Sequence, residues 1–274
     1  MKKIFFVVLC LAAISSFAQL KIPAPSSTQT IKQDFGLTSI ELTYSRPDMK
    51  GRKIFGDLVP YGKIWRTGAN SATRIKFGDD VTIGGQALKA GEYALYTIPN
   101  VNEWEIILNK GVDNDGAFNY KQADDVLRFK VKPITIKEPV ETFTLEFANV
   151  KSSTADFHII WNKTMISIPL TTEIDAKIMS RINDEMKKDN PPYYQAAFYY
   201  AENGKDLNQA IEWFDKAIEK DPKAYYIYYQ KARALVTIGK KDEAKAVAQK
   251  SMEVAREQKN DDYVRLNEKL LKSL

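Results

Sequence analysis

Hydrophobic and polar residues alternate along most of the chain between residues 30 and 170. The alternation recurs in SIELTYS (39–45), TRIKF (73–77), EWEIILN (103–109), VLRFKV (126–131) and TFTLEF (142–147). A period of two places alternate side chains on opposite faces of a strand, so each stretch predicts a strand with one buried face. Two further strands are predicted near residues 155–161 and 165–169.

Turn signals separate these strands. They include Gly-Asp-Asp at 78–80, Gly-Gly at 84–85 and Pro-Asn at 99–100. No stretch between the strands carries a helical pattern long enough for the crossover that parallel strands need. The pattern therefore predicts an antiparallel β-sandwich or barrel, which we place at residues 19–170.

The pattern changes at the end of this β-region. Ile174, Ile178 and Ile182 repeat every four residues, which predicts an amphipathic helix. Thr172 is the expected N-cap of this helix. We therefore predict an all-α unit over residues 171–274, and the whole chain is predicted to be a two-part α+β protein.

A 34-residue period runs through the helical part. The segment LNQAIEWFDKAIEKDP (207–222) has apolar residues at the spacing of the second helix of a tetratricopeptide repeat, followed by its closing proline. The corresponding positions in the two copies are Ala210 and Ala244, Phe214 and Ala248, and Ala217 and Ser251. Small residues recur where paired helices must approach closely, so the tail is predicted to be tetratricopeptide-like.

The first residues have the pattern of a secretory signal peptide. Lys2 and Lys3 are followed by an apolar stretch at 4–13 and by Ser-Phe-Ala at 16–18, a small-x-small cleavage site. The apolar stretch is too short to span a bilayer, which disfavours the alternative of a lone membrane anchor. We therefore predict a signal peptide at residues 1–18. The protein is expected to be exported, periplasmic or secreted, and not an integral membrane protein.

Composition excludes several kinds of chemistry. Cys10 is the only cysteine and lies in the predicted signal peptide, so the exported chain would have no disulfide and no thiolate. His158 is the only histidine, which excludes a multi-histidine metal site, and we expect it to be a half-exposed strand residue. We expect neither a metal nor a cofactor.

Positive charge is concentrated in one segment. The formal net charge of +5 falls to +3 without Lys2 and Lys3, which is too small to indicate a nucleic-acid partner. Between residues 46 and 76, however, there are eight Lys and Arg against two Asp, a local net charge of +6. Arginine presents a planar set of donors that matches carboxylate, phosphate or sulfate. This segment is therefore the candidate ligand site.

The candidate pocket draws on two stretches, SRPDMKGRKIFG (45–56) and VPYGKIWRTGAN (59–70). Its predicted ligand-binding residues are Arg46, Arg52, Tyr61, Trp65, Arg66 and Asn70. The arginines suit an anion and the aromatic rings suit a sugar face, so the candidate ligand is an anion or a glycan. The alternative is structural: arginines that bond backbone carbonyls, a tryptophan that fills the core, and small polar residues that shape a turn. The surroundings of the guanidinium groups distinguish the two interpretations. The structural one places them against backbone carbonyls, and the ligand-binding one places them in an open pocket.

Several uncommon motifs occur in one order along the β-region. They are YSRPDMKGRKIFGDLVPYGKIWRTGANSATRI (44–75), AGEYALYTIP (90–99), EWEIILNK (103–110) and DDVLRFKVKP (124–133). Together they resemble the bacterial domain-of-unknown-function family 2911, over roughly residues 20–170. The tail is similar to a tetratricopeptide-like extension that some members carry. The resemblance implies an exported β-domain and supplies no activity or catalytic residue.

We therefore predict a non-catalytic binding or interaction protein. Tyrosines crowd the helical tail, at 193, 194, 199, 200, 225, 226, 228 and 229. The tail is predicted either to bind a peptide or protein partner or to brace the β-domain.

The alternative function is a periplasmic hydrolase that uses His158 and acidic residues near the arginine cluster. The candidate acid pairs are Asp79 with Asp80, Asp113 with Asp115, and Asp124 with Asp125. Each pair lies in a predicted turn or strand start, where Asp commonly caps backbone amides. No catalytic residue is therefore assigned.

Overall fold

The computed structural model describes residues 22–274, and the predicted signal peptide lies outside the described residues. The described chain divides into two compact units, with the boundary between Ile174 and Asp175. The first unit is built of β-strands and the second of α-helices. The predicted α+β organisation in two parts is confirmed.

Ten strands form the described part of the first unit, together with a 3₁₀ turn at Gln122–Asp124. The strands are β1 (Ser27–Phe35), β2 (Thr38–Arg46), β3 (Ala69–Phe77), β4 (Val81–Ile83), β5 (Gln86–Leu88), β6 (Gly91–Ile98), β7 (Trp104–Asn109), β8 (Asp125–Val131), β9 (Ile134–Ala148) and β10 (Thr154–Thr171). Alternation predicted the buried faces well. In β2, for example, Ile40, Leu42 and Tyr44 are at most 2% exposed.

The strands make two antiparallel sheets. The six-stranded sheet has the order β1-β2-β3-β6-β7-β8, and the four-stranded sheet has the order β5-β4-β10-β9. Neither sheet closes on itself, so the fold is a sandwich and not a barrel. Side chains from both sheets fill the core, including Leu42, Leu108, Phe143 and Ile159, each at most 1% exposed.

The prediction of two separate final strands is wrong. Residues 155–161 and 165–169 both belong to β10, which continues without a turn. Its register against β9 shifts on both sides of Asn162, whose φ of 52° is left-handed. Asn adopts this conformation more readily than most residues, so the polar stretch Asn-Lys-Thr forms an irregularity within one strand.

Six helices form the second unit. They are α1 (Asp175–Glu185), α2 (Tyr193–Glu202), α3 (Leu207–Lys220), α4 (Tyr225–Thr237), α5 (Lys241–Glu257) and α6 (Asp261–Lys272). Helix α2 packs on α3, α4 packs on α5, and α5 packs on α6. The six residues that the 34-residue period identifies, Ala210, Phe214, Ala217, Ala244, Ala248 and Ser251, are each at most 5% exposed. The period therefore marks the buried contacts between paired helices.

The predicted N-cap of the first helix is wrong. Helix α1 begins at Asp175, and Thr172 directly follows β10, with its hydroxyl donating to the carbonyl of Asp80 at 2.9 Å. The carboxylate of Asp175 accepts from the hydroxyl of Tyr199 and from Nζ of Lys205, each at 2.8 Å. These bonds tie the first turn of α1 to the next helix and to the loop that follows it.

Candidate functional site

The candidate residues belong mainly to the loop that joins β2 to β3, residues 47–68. The first part of this loop runs along β9. The amide of Phe143 donates to the carbonyl of Pro47 at 2.8 Å, and the amide of Met49 donates to the carbonyl of Glu141 at 2.9 Å. The loop thereby occupies backbone groups of β9, an edge strand of the four-stranded sheet.

Trp65 anchors the later part of the loop in the core. Its backbone exchanges two hydrogen bonds with Thr97 of β6, at 2.8 and 2.9 Å. Its ring lies nearly parallel to Trp161, with 6.0 Å between centroids, and meets Phe143 edge-on at 5.1 Å. Trp65 is half-buried: its ring packs against the core and also lines a surface cleft.

The Thr-Gly turn after Trp65 has an unusual backbone. Thr67 and Asn70 have φ values of 54° and 56°, and Thr67 is fully buried. A β-branched residue rarely adopts a positive φ, so the surroundings must hold it there. The hydroxyl of Thr67 donates to that of Thr97 at 3.1 Å, and its carbonyl accepts from the hydroxyl of Thr73 at 2.6 Å. These bonds fix the turn immediately after Arg66.

A cleft of about 340 Å³ lies at this turn. It is lined by Pro25, Ser26, Pro47, Asp48, Lys50, Arg52, Leu58, Val59, Trp65, Arg66, Gly68, Ala69 and Trp161. Its volume is at the small end of the range for ligand pockets, roughly 300–1,000 Å³. The lining has three cations and one anion, a formal net charge of +2.

The three predicted arginines have different surroundings, and Arg46 is a structural tie. Its Nε donates to the carbonyl of Phe143 at 3.1 Å, and its Nη2 donates to the hydroxyl of Thr144 at 3.0 Å. Arg46 ends β2, whereas both acceptors lie on β9, so the guanidinium joins the two sheets. The structure places Arg46 outside the cleft lining.

Arg52 is intermediate between a tie and a site residue. Its Nε donates to the carbonyl of Met49 at 2.9 Å, and its Nη2 donates to the carbonyl of Asp48 at 2.6 Å. The side chain therefore caps its own loop. It is nevertheless exposed and lines the cleft.

Arg66 differs from Arg46 and Arg52 because its guanidinium has no acceptor among the described residues. Its Nε is inaccessible to solvent and has no hydrogen-bond partner, and within residues 22–274 its guanidinium makes no hydrogen bond or ion pair. A Cβ built on Gly116 would lie 3.3 Å from Nη1, so that backbone approaches the guanidinium closely. A partly desolvated cation without a partner is costly, because it has lost water and gained no acceptor. Arg66 lines the cleft, where an anion would supply that acceptor.

The other two predicted residues lie at the margins. Tyr61 packs over Gly56, is 40% exposed and does not line the cleft. Nδ2 of Asn70 donates to the hydroxyl of Ser45 at 3.1 Å and to the carbonyl of Ser26 at 3.4 Å. Asn70 therefore positions Ser26, which forms part of the cleft wall.

Several residues of the cleft were missed by sequence reasoning. Lys50 and Leu58 lie within the predicted segment and could have been included on charge and exposure. Trp161 comes from β10 and Pro25 precedes β1, so both reach the cleft only through the fold. No local pattern in the sequence indicates these two.

The residues of the hydrolase alternative do not converge. His158 lies on β10 opposite Glu146 of β9, with 3.2 Å between Nδ1 and Oε1, and it does not line the cleft. Asp80 accepts from the amide of Ala90 at 2.9 Å, as expected of a turn residue. Asp125 is bound by the hydroxyl of Tyr120 at 2.9 Å, away from the cleft lining. The geometry gives no support to a site built from His158, an acid and Arg66.

Many of the tyrosines of the helical unit form a connected group of rings. Tyr194 of α2 meets Tyr226 of α4 at 5.1 Å, and Tyr225 meets Tyr263 of α6 at 4.8 Å. All four rings are half-buried. Burial raises the pKa of Tyr194 and of Tyr263. The rings hold three helices together and leave part of their aromatic surface accessible.

Comparison with known families gives separate matches for the two parts of the chain. Residues 26–170 match the family described as a protein of unknown function, DUF2911. The chain belongs to this family. Residues 191–223 and 213–246 each match a tetratricopeptide repeat, so the DUF2911 domain carries the predicted extension. Neither the curated proteins nor the solved structures give a significant match.

The repeats of this DUF2911 member suggest a role in protein–protein interaction. Within residues 22–274, no helix is long and apolar enough to cross a membrane. The same residues contain no group of three or more His, Cys, Asp or Glu side chains arranged to hold a metal ion.

Proposed function

We propose that this DUF2911 protein is exported and binds a small anion at Arg66, while its helical unit binds a protein partner. Export is supported by the signal-peptide pattern at residues 1–18, which implies a periplasmic or secreted protein. The protein partner is supported by the tetratricopeptide repeats and by their partly accessible tyrosine rings.

The anion site rests on one observation: Arg66 lines a cleft and has no acceptor among the described residues. Its Nε is covered, so a bound anion would meet the two Nη nitrogens. Lys50 and Arg52 add positive charge to the same lining. Charge-assisted hydrogen bonds from arginine are among the strongest in proteins, and partial burial of the cation increases their strength.

Two matched variants test this site. Arg66→Met removes the charge and the unpaired donor while keeping an unbranched apolar side chain that reaches about as far as Nε. We expect its free energy of unfolding to equal or exceed that of the wild type, because the loss includes no internal hydrogen bond. Arg46→Met removes the hydrogen bond to the Phe143 carbonyl and the one to the Thr144 hydroxyl, so it should lose about 1.5–3 kcal/mol.

The readout is thermal unfolding of the predicted exported form, residues 19–274, with and without phosphate, sulfate, acetate and hexanoate. At least one of these anions should raise the melting temperature of the wild type and of Arg46→Met, and none should raise that of Arg66→Met. If Arg66→Met is as unstable as Arg46→Met, Arg66 is a structural tie and the anion site is refuted. A wild type that no anion stabilises refutes it as well.

A further inference from the structure

The chemistry of the whole cleft narrows the ligand. We propose, resting on the anion site at Arg66, that the cleft takes an organic oxyanion with a hydrocarbon body: one carboxylate or phosphate-ester group joined to a short apolar chain or ring. A bare inorganic anion would use only the cations of the lining. A neutral sugar would use neither the charge nor the apolar surface fully.

The two tryptophans of the cleft offer only apolar surface. Nε1 of Trp65 donates to the carbonyl of Gly68 at 3.1 Å, and Nε1 of Trp161 donates to the carbonyl of Glu141 at 3.0 Å. Both indole N–H groups are therefore used inside the protein. Trp161 is 2% exposed, so this surface comes mainly from the half-buried Trp65, and it is carbon, which favours a hydrocarbon over a hydroxylated ligand.

Two cations of the lining, Arg66 and Lys50, remain available as donors. Arg66 has no acceptor, and the ammonium group of Lys50 makes no hydrogen bond or ion pair within residues 22–274. These donors favour a ligand that is rich in hydrogen-bond acceptors. An oxyanion offers acceptors, whereas each hydroxyl of a polyol is both a donor and an acceptor.

Three acceptors of the lining are already engaged. Oδ1 of Asp48 accepts from the hydroxyl of Thr142 at 2.7 Å, and the carbonyl of Asp48 accepts from Arg52 at 2.6 Å. The carbonyl of Gly68 accepts from Trp65. The hydroxyl groups of a sugar would find few free partners, and burying unpaired hydroxyls is unfavourable. A glycan ligand is therefore less favoured than an anionic one.

Exposed hydrocarbon completes the pattern. Leu58 lines the cleft and is 42% exposed, next to the buried Val59. Pro25 and Pro47 add apolar lining that has no donor N–H. A ligand body that covers Leu58 would remove this surface from water, which is favourable in proportion to the area buried.

Calorimetric titration of the exported form with a chain-length series tests the proposal. The probes are acetate, butanoate and hexanoate, with hexyl phosphate to separate the two oxyanion heads, and with methyl hexanoate and maltose as uncharged probes. Each added methylene should tighten binding by up to about fourfold, and the ester and maltose should not bind. The stronger of hexanoate and hexyl phosphate identifies the head group.

Leu58→Ser separates the body from the head. It should flatten the dependence of affinity on chain length, and Leu266→Ser, at a leucine of α6 that is 39% exposed, should leave that dependence unchanged. Arg66→Met should abolish binding of the whole series. If acetate binds the wild type as tightly as hexanoate, this inference fails and the anion site stands. If no anion binds, both fail, and tight binding of maltose would also overturn the inference.

Discussion

The β-unit and the helical unit bury opposite kinds of side chain. Of the seven bulkiest fully buried side chains in the described residues, six belong to the β-unit and only Phe214 belongs to the helices. The buried positions of the helical unit are mostly alanines. Two sheets leave a thick space that large rings must fill, whereas paired helices approach closely only over small residues. Truncation should therefore damage the first unit most, and enlargement the second.

A large truncation in the β-core gives the largest expected effect. Trp104 is 1% exposed and lies 4.8 Å from Phe55 and 6.4 Å from Trp65, measured between ring centroids. Trp104→Ala removes contacts that the surrounding rings cannot replace and should cost about 3–5 kcal/mol of unfolding free energy. Urea denaturation followed by tryptophan fluorescence measures it. Val126→Ala, at a 38% exposed position of β8, should cost far less, and equal costs would contradict the thick-core account.

Enlargement of a buried alanine should give an intermediate effect in the helical unit. Ala248 is fully buried on α5, and Ala246 is exposed on the same helix. Ala248→Leu forces the paired helices apart and should cost about 1–3 kcal/mol. Ala246→Leu adds the same atoms in water and should be nearly neutral. Urea unfolding followed by circular dichroism at the helical minimum compares the two, and a neutral Ala248→Leu would show that the helices tolerate separation.

The sequence alone predicted buried positions in both units. The alternation in β2 and the repeat that relates Ala210 to Ala244 are local patterns, and both identified buried positions correctly. The continuity of β10 through Asn162 could not be predicted, because a polar stretch looks the same whether it ends a strand or bends one.

The cleft was harder to predict than the fold. The sequence indicated the segment that carries Arg46 and Arg66, because their charge and turn residues are adjacent in the chain. It could not separate the two arginines, since the carbonyl that holds Arg46 belongs to Phe143, almost a hundred residues away. The wall contributed by Trp161 is equally remote. Site composition depends on contacts that only the tertiary structure creates.

The smallest expected effect compares one tyrosine from each unit. Burial, assisted by a hydrogen bond to Asp125, raises the pKa of Tyr120 to about 12. Burial and a bond to Asp175 raise the pKa of Tyr199 to about 12. Both values exceed the ordinary 10.0, so the folded state favours the neutral phenol. The contribution of each tyrosine to the free energy of unfolding is complete below pH 10 and is lost as the pH rises towards 12.

Tyr120→Phe and Tyr199→Phe should cost about 0.5–1.5 kcal/mol per lost hydrogen bond at neutral pH. Tyr120→Phe loses the bond to Asp125 and the bond from Arg128, and Tyr199→Phe loses the bond to Asp175. The cost in unfolding free energy should shrink between pH 10 and pH 12. Ionisation of the phenol removes from the wild type, in that range, a contribution that the phenylalanine variant lacks at every pH. Denaturant titrations across this range, with fluorescence for Tyr120→Phe and circular dichroism for Tyr199→Phe, measure the difference. A cost that stays constant with pH would mean that the phenol bonds do not favour the neutral form in the folded protein. A shrinking cost in only one variant would show that the two units differ in their polar contacts as well as in their cores.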